Sequence, residues 1–397
     1  MLRFSQHALF CSSGLYSSNQ IVSGGVEQLS RVQSSNLSLS WPRIDETYLN
    51  ESVERARNGR PNVNLTYEYL ATAGYNEQII GLVTDGVNSA FWNLNQEKNY
   101  FVLAKDAFTD ANLDSGSSQK VIGIGQTLLN GYSIAASAGD LIKTTCTVEA
   151  LNLLMFTGNS GQNPAVIYQN GQSFSGGVVI PPAQNLVYSQ SSNPANDVVA
   201  LGAKDLIMEF PSGSVFGTLI SGTNACQLQS FTLAFSISRN QAKPLGFAYP
   251  NERRVNFPII VELSADAFLE QYQIDALNTQ ACFDSGHNIN ILVKQPCSDL
   301  LALEFYLKGL KLDSQQINTS TQSNFSTVNF TWKGLVGNLN NSGNNVYIKA
   351  NNGTEYYELE SVIPISGVDI NGDFFFSEQS FYRRRLVENN FFSGSVI

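Results

Sequence analysis

Histidine is almost missing from this sequence: its 397 residues include only His7 and His287. A hydrolytic triad would have to recruit one of them, and no Gly-x-Ser-x-Gly elbow surrounds any serine. His287 follows Asp284-Ser285-Gly286, which reads as a turn. Cysteine is also scarce and odd in number: Cys11, Cys146, Cys226, Cys282 and Cys297 form no C-x-x-C and no pair with zinc-ligand spacing. Free buried thiols of a reducing compartment are therefore expected, with no disulfide frame. No run approaches the ~18 apolar residues of a membrane span. Ala8-Leu9-Phe10-Cys11 is too short for the apolar stretch of a signal peptide. Manufacture and use without secretion is the expectation, so Asn-x-Ser/Thr stretches such as Asn64-Leu65-Thr66 carry no glycosylation signal.

Charge is scarce as well. Charged residues make up 14% of the chain, against roughly 25% in an average globular protein. The polar share falls to Asn, Ser, Gln, Thr and Gly, which suits either a chain that packs against its own copies or an ordinary extracellular-type β-protein. Lys and Arg number 23 against 33 Asp and Glu, a net charge of −10. Gripping nucleic acid requires a basic stripe, and the balance here is acidic. An acidic wall is compatible with letting nucleic acid pass.

What the chain does contain is a pattern written twice. Ile21-Val22-Ser23-Gly24, Val32-Gln33-Ser34 and Leu37-Ser38-Leu39-Ser40 come first. Leu219-Ile220-Ser221-Gly222, Leu228-Gln229-Ser230 and Leu233-Ala234-Phe235-Ser236 follow in the same order. The offset is 198 at Val22/Ile220, 196 at Gln33/Gln229, and 198 again where Val63-Asn64-Leu65 meets Val261-Glu262-Leu263. Later parts match more loosely, Leu129-Asn130-Gly131 with Leu307-Lys308-Gly309 and Thr147-Val148 with Thr327-Val328.

Period two dominates. Residues 36–41, 63–69, 100–104, 133–137, 146–151, 231–237, 259–263 and 328–332 alternate, carry β-branched or aromatic residues, and end at Gly, Asn, Asp or Pro. Ser264 as N-cap predicts a helix over 265–272. Ser298-Asp299 before Leu300-Leu301-Ala302-Leu303 opens either a helix or a strand. The fold class expected is mainly β: two tandem sandwich or barrel domains with minor helix, plus a C-terminal β extension. The boundaries read as 1–156 for the first domain, 157–205 for a linker or insertion, 206–336 for the second domain and 337–397 for the extension. The linker is rich in Gly, Asn, Ser and Pro. It reads as a partly ordered strap over the surface, or as an insertion with a hairpin around Val178-Val179-Ile180. The extension alternates at 346–349, 356–359 and 374–376, with hairpin turns at Asn352-Gly353 and Asn371-Gly372.

Motifs of chemistry are weak. Gly123-Ile124-Gly125 lacks the third glycine and βαβ setting of a dinucleotide loop and reads as a bulge or close packing within a strand. Asp369-Ile370-Asn371-Gly372-Asp373 lacks the spacing of a calcium loop and reads as a turn. Charged clusters instead occupy matching places. Glu54-Arg55-Ala56-Arg57 and Arg60 precede Pro61, and Glu252-Arg253-Arg254 precedes Pro258. Each alone reads as a solvated loop, whereas two copies point to a repeated contact. Arginine forks pair bidentately with carboxylates, and Asp45, Glu46 and Glu51 offer such partners in another subunit. Arg383-Arg384-Arg385 reads either way.

The order of these features resembles the major tail tube proteins of long-tailed bacteriophages. The resemblance is carried by Val32-Gln33-Ser34 and its strand, the arginine loop and Pro61, and the strand through Tyr69. It continues with Asn99 to Ala104, Asp110-Ala111-Asn112, and Gly131 to Asp140 running into Thr147 to Asn152. The second half keeps the layout with 310–331 in the hairpin's place, without the Ala-Gly-Asp turn.

The resemblance implies a non-enzymatic structural virion protein of the tail, assembled in the host cytoplasm. Rings of tube domains would stack into a conduit for double-stranded DNA, which passes without specific binding. Since single-domain members form hexameric rings, a duplicated chain implies a homotrimer with pseudo-sixfold symmetry. The hairpin residues Tyr132, Ser133, Asp140, Thr147 and Glu149 are the candidate lumen segment. Arg55, Arg57, Arg60, Arg253 and Arg254 are candidate inter-ring contacts, in the loops 42–60 and 240–257. Partners implied are the chain itself and tape-measure, terminator and distal tail proteins, with no cofactor, metal or membrane. Alternatives are a tail terminator or capsid decoration protein, a β-rich carbohydrate- or receptor-binding module using Tyr356-Tyr357 and Phe374 to Phe376, and a virion hydrolase.

Overall fold

The computed structural model describes residues 7–12, 26–46, 55–58, 62–83, 88–104, 120–157, 168–169, 172–173, 200–209, 228–242, 252–268, 286–296, 300–318, 326–338 and 344–355. It is mainly β. The first half contains β1 (His7–Ser12), β2 (Val26–Gln28), β3 (Val32–Ser40), β4 (Arg43–Glu46), β5 (Arg55–Asn58) and β6 (Asn62–Leu70). After a short helix α1 (Tyr75–Ile80) come β7 (Lys98–Ala104), β8 (Lys120–Ser137), β9 (Lys143–Ala150) and β10 (Asn152–Thr157). A two-residue-per-strand hairpin follows, β11 (Tyr168–Gln169) and β12 (Gln172–Ser173). The second half holds β13 (Leu206–Glu209), β14 (Leu228–Ser236), β15 (Arg239–Ala242), β16 (Glu252–Val255) and β17 (Ile259–Phe268). It ends with β18 (His287–Lys294), β19 (Leu300–Asn318), β20 (Thr327–Val336) and β21 (Asn345–Glu355).

The two halves are wired alike. In the first, β3, β6, β9 and β8 pair in that order, β7 and β10 flank the start of β8, and β1 pairs with β7. In the second, β14, β17, β20 and β19 pair in that order, β18 and β21 flank the start of β19, and β13 pairs with β18. The hairpins β4–β5 and β15–β16 occupy the same place in each.

The long strands explain how each half closes on itself. β8 runs 18 residues and β19 runs 19. Each changes partners at a bulge, Leu129/Gly131 in β8 and Leu312/Ser314 in β19. A bulge bends its strand and sharpens its twist, so one strand serves two layers. The matched bulges set the equivalence: Leu129 with Leu312 and Thr147 with Thr331, a few residues from the pairings expected at Leu307 and Thr327.

Alternation does the rest. β6 buries Val63, Leu65, Tyr67 and Tyr69, and β17 buries Ile259, Val261, Leu263, Ala265 and Ala267. β17 therefore runs as a strand through Ala265-Asp266-Ala267, where a helix was predicted. Asp266 faces away from the core, accepting from Ser230 Oγ at 2.6 Å and Asn329 Nδ2 at 2.7 Å on the flanking strands. Pairing on both sides outweighs the modest helix preference of alanine. Leu300 begins a strand. β21 takes the position beside β19 that β10 holds beside β8 in the first half. β21 also passes through Asn352-Gly353 with a register shift against β19, in place of a hairpin turn.

One apolar cluster runs from Leu9 to Ile348 through both halves. The segment before β7 packs on β21: Ala90 donates to Val346 O at 2.8 Å, and Ser89 Oγ donates to Asn345 Oδ1 at 2.5 Å. Gly74, at φ 83, lies so near Ala350 that a Cβ there would sit 2.5 Å from the alanine's own. Cys11 and Cys146 are buried free thiols, and burial pushes the Cys11 thiol up to about 11. No described helix is long and apolar enough to cross a membrane. Outside the described residues lie Asp110-Ala111-Asn112, Glu51, Arg60, Val178 to Ile180 and Ser298-Asp299. The other three cysteines, the paired segments at Val22 and Ile220, and everything named beyond Glu355 lie outside them too.

Candidate functional site

The halves meet edge to edge. β14 pairs antiparallel with the far part of β8, from Ser230 opposite Ser137 to Ser236 opposite Gly131. This seam is apolar on its core side. Phe231, Leu233 and Phe235 of β14 and Tyr132, Ile134 and Ala136 of β8 are all buried. Phe235 stacks on Tyr132 at 5.2 Å between ring centroids and meets Phe91 edge-on at 5.0 Å. The Tyr132 hydroxyl donates to Glu77 Oε1, which also accepts from Tyr69. Burial raises the Glu77 pKa, while backbone and the two tyrosine hydrogen bonds pull it back.

The β15–β16 hairpin lies across this seam. Arg239 donates to Leu129 O at 2.6 Å, Asn130 Oδ1 at 2.7 Å and Leu94 O at 2.9 Å. Burial, with neighbouring Arg253, lowers its pKa to about 10. Arg253 is 7% exposed; it pairs with Glu97 at 2.9 Å and donates to Gln126 O and Glu149 O. Gln241 donates to Glu149 Oε1 at 2.9 Å and Asn130 to its Oε2 at 3.0 Å. Arg253, named from the sequence as a candidate inter-ring contact, is therefore committed to partners within its own chain. Its neighbour Arg254 is exposed and pairs with Glu252. Arg55 and Arg57 lie on β5, whose backbone alone is described.

The candidate lumen segment divides by parity. Tyr132 faces the core. Ser133, Thr147 and Glu149 share the opposite face of the sheet, and Asp140 is exposed in the turn between β8 and β9. That face continues across the seam through Asn64, Thr66, Glu68 and Thr145, then Thr232, Ala234, Glu262, Ser264, Asp266, Asn329, Thr331 and Lys333. Thr66 and Thr147 hydroxyls bond across strands at 3.3 Å. Carboxylates at Glu68, Glu149, Glu262 and Asp266 outnumber the ammonium groups of Lys143, Lys311 and Lys333, and the same face carries one exposed apolar pair, Ile260 opposite Leu335.

Among the described residues β2, β10, β13 and β21 each pair on one side only, and two further open edges lie in the sheet that holds the seam. β3 pairs only with β6, and β19 beyond its bulge pairs only with β20. These are the equivalents of the two strands that form the seam. Where β14 buries Phe235, β3 has Leu39 at 37% exposure; where β8 buries Ile134, β19 has Ile317 at 48%. Sequence reasoning missed these edge residues and Arg239. The signal for Arg239 was present, since Arg43 precedes it by the same 196 positions that separate Gln33 from Gln229.

No family model and no curated protein matches the chain. Among solved structures it is similar to a chain of the anti-feeding prophage cap, described as a tube-terminating cap. The identity is 12% and the TM-score 0.28, over 40% of this chain and 92% of that one. It is also similar to a chain of the six-fold symmetrised anti-feeding prophage baseplate, at 12% identity and a TM-score of 0.28, over 38% of this chain and 93% of that one. Likeness at that level shows neither family nor function.

Proposed function

We propose that the chain is the building block of a phage tail tube, a passive conduit for double-stranded DNA. The observation that carries this reading is the seam. Within one chain a half already adds to its twin by strand pairing, and among the open edges are β3 and the far part of β19, the equivalents of the two strands that form the seam. Open edges are an aggregation hazard unless closed, and a head-to-tail contact that rotates at each step closes into a ring. With six halves to a ring, three chains close it.

The polar sheet face would then line the channel. Its hydroxyls and amides far outnumber the ammonium groups of Lys143, Lys311 and Lys333, and its carboxylates repel DNA from the wall. The work of such a protein is rigidity and exclusion, with no catalysis and no cofactor. Rings stack through exposed loops, Arg254 being one described candidate, and the tube meets tape-measure, terminator and distal tail proteins at its interior and ends. Negative-stain electron microscopy of the purified protein tests this: rings or tubes support it, and a chain that remains monomeric at every concentration sinks it.

A further inference from the structure

We propose that successive copies join by β3 of one chain on the outer edge of β19 of the next, with Leu37 opposite Ile317, and that charge locks this contact where the internal seam relies on aromatic stacking. The proposal rests on the ring reading and adds its register and chemistry.

The register comes from the internal seam. There Leu233 lies opposite Ile134, Ala234 opposite Ser133 and Phe235 opposite Tyr132. β14 corresponds to β3 residue by residue, so Leu233, Ala234 and Phe235 become Leu37, Ser38 and Leu39. The matched bulges carry Tyr132, Ser133 and Ile134 onto Gln315, Gln316 and Ile317. The contact between copies is therefore Leu37 with Ile317, Ser38 with Gln316 and Leu39 with Gln315. It covers the apolar groups at Leu39 and Ile317 that a lone chain leaves in water, with no Phe–Tyr stack.

The polar rim changes in a concerted way. In the internal seam the receiving pair is Asn130 and Glu149, bonded to each other at 3.0 Å. The equivalent pair on the open edge is Asp313 and Lys333, in contact at 2.7 Å. The arriving hairpin changes with it. Arg239 and Gln241 of β15 stand at the positions of Arg43 and Asp45 in β4. The same register sets the β4 positions 43 and 45, an arginine and an aspartate, beside Asp313 and Lys333, as β15 sets Arg239 and Gln241 beside Asn130 and Glu149. Each arriving charge meets its opposite. A shifted register would break both pairs and remove Leu37 from Ile317.

Asp313 and Lys333 are about half exposed in the single chain, so salt screens this contact more than the buried internal one. Raising salt should release folded single chains before either half unfolds.

Two experiments on the full chain test the proposal. Oxidised Leu37→Cys/Ile317→Cys and Ser38→Cys/Gln316→Cys doubles should give dimers and closed trimers on non-reducing gels, because facing strand residues lie within disulfide reach. An Asn36→Cys/Ser314→Cys double, displaced by four residues, should stay uncrosslinked, as should every single variant. In sedimentation, Arg43→Asp or Asp313→Arg should weaken association roughly tenfold, and the two together should restore it. Trimers that form while the displaced pair crosslinks, or while both charge reversals are silent, overturn the register and leave the ring standing. A wild-type chain that never associates and never crosslinks overturns both.

Discussion

The internal seam and the open edges are built from equivalent strands with opposite surfaces. At the seam β14 presents Phe231, Leu233 and Phe235, and all are buried. At the edge β3 presents Ser35, Leu37 and Leu39 at the same positions, with serine replacing one aromatic and leucine the other. The receiving strands differ likewise: Tyr132 in β8 gives way to Gln315 in β19. A contact inside one chain is made once and kept, so it can be as apolar as a core. A contact between chains must leave each copy soluble until it meets another, and smaller apolar groups among serine, asparagine and glutamine serve that end.

The largest effect that would break this comparison is at Phe235. Phe235→Ala removes a ring held by Tyr132 and Phe91 and should destabilise the chain by roughly 3–5 kcal/mol. Its edge counterpart Leu39→Ala should change the stability of a single chain by no more than about 0.5 kcal/mol while weakening association. Urea unfolding of dilute protein measures the first, and sedimentation the second; equal losses in urea would end the distinction.

A smaller difference separates two adjacent arginines. Arg253→Ala strips the partner from Glu97 and from two carbonyls beneath the hairpin, costing about 2–4 kcal/mol. Arg254→Ala touches only an exposed pair and should leave the unfolding midpoint unchanged. Thermal melts of the two variants check this, and the reverse order would remove the β15–β16 hairpin from the seam.

The smallest effect is a pH slope confined to the first half. Among the described residues the two tyrosines that hold Glu77 have no equivalent in the second half, where Ala267 and Gln315 take the places of Tyr69 and Tyr132. The Glu77 pKa is raised in the folded chain above the ordinary 4.5, so folding favours the protonated carboxyl. The stability this contributes is complete below 4.5 and is lost as pH rises through the folded value. Glu77→Gln should flatten stability against pH across that window; an unchanged slope would show that the burial of this carboxyl is not felt.

The alternation of β6 and β14 was legible in the sequence because each buries one face, and the repeat was legible through Gln33/Gln229 and Val63/Val261. Three features were not. The stretch Ala265-Asp266-Ala267 carries helix-forming residues and a good cap, and only its two flanking strands make it β17. The true helix α1 is six residues long and lies between left-handed Gly74 and Gly81, too short for a periodic signal. The role of Arg253 depends on a hairpin folding across a seam between distant segments, so a local charge cluster could not distinguish it from exposed Arg254. The polar face was readable as residue types, but parity against the core was needed to separate buried Tyr132 from Ser133, Thr147 and Glu149 on the opposite face.

The most direct test is the number of chains per ring. Native mass spectrometry of assembled rings, with class averages from electron microscopy, counts chains and repeats together. The account predicts three chains and a six-fold outline. Rings of six chains, or a chain that assembles with no pairing of β3 to β19, would contradict it.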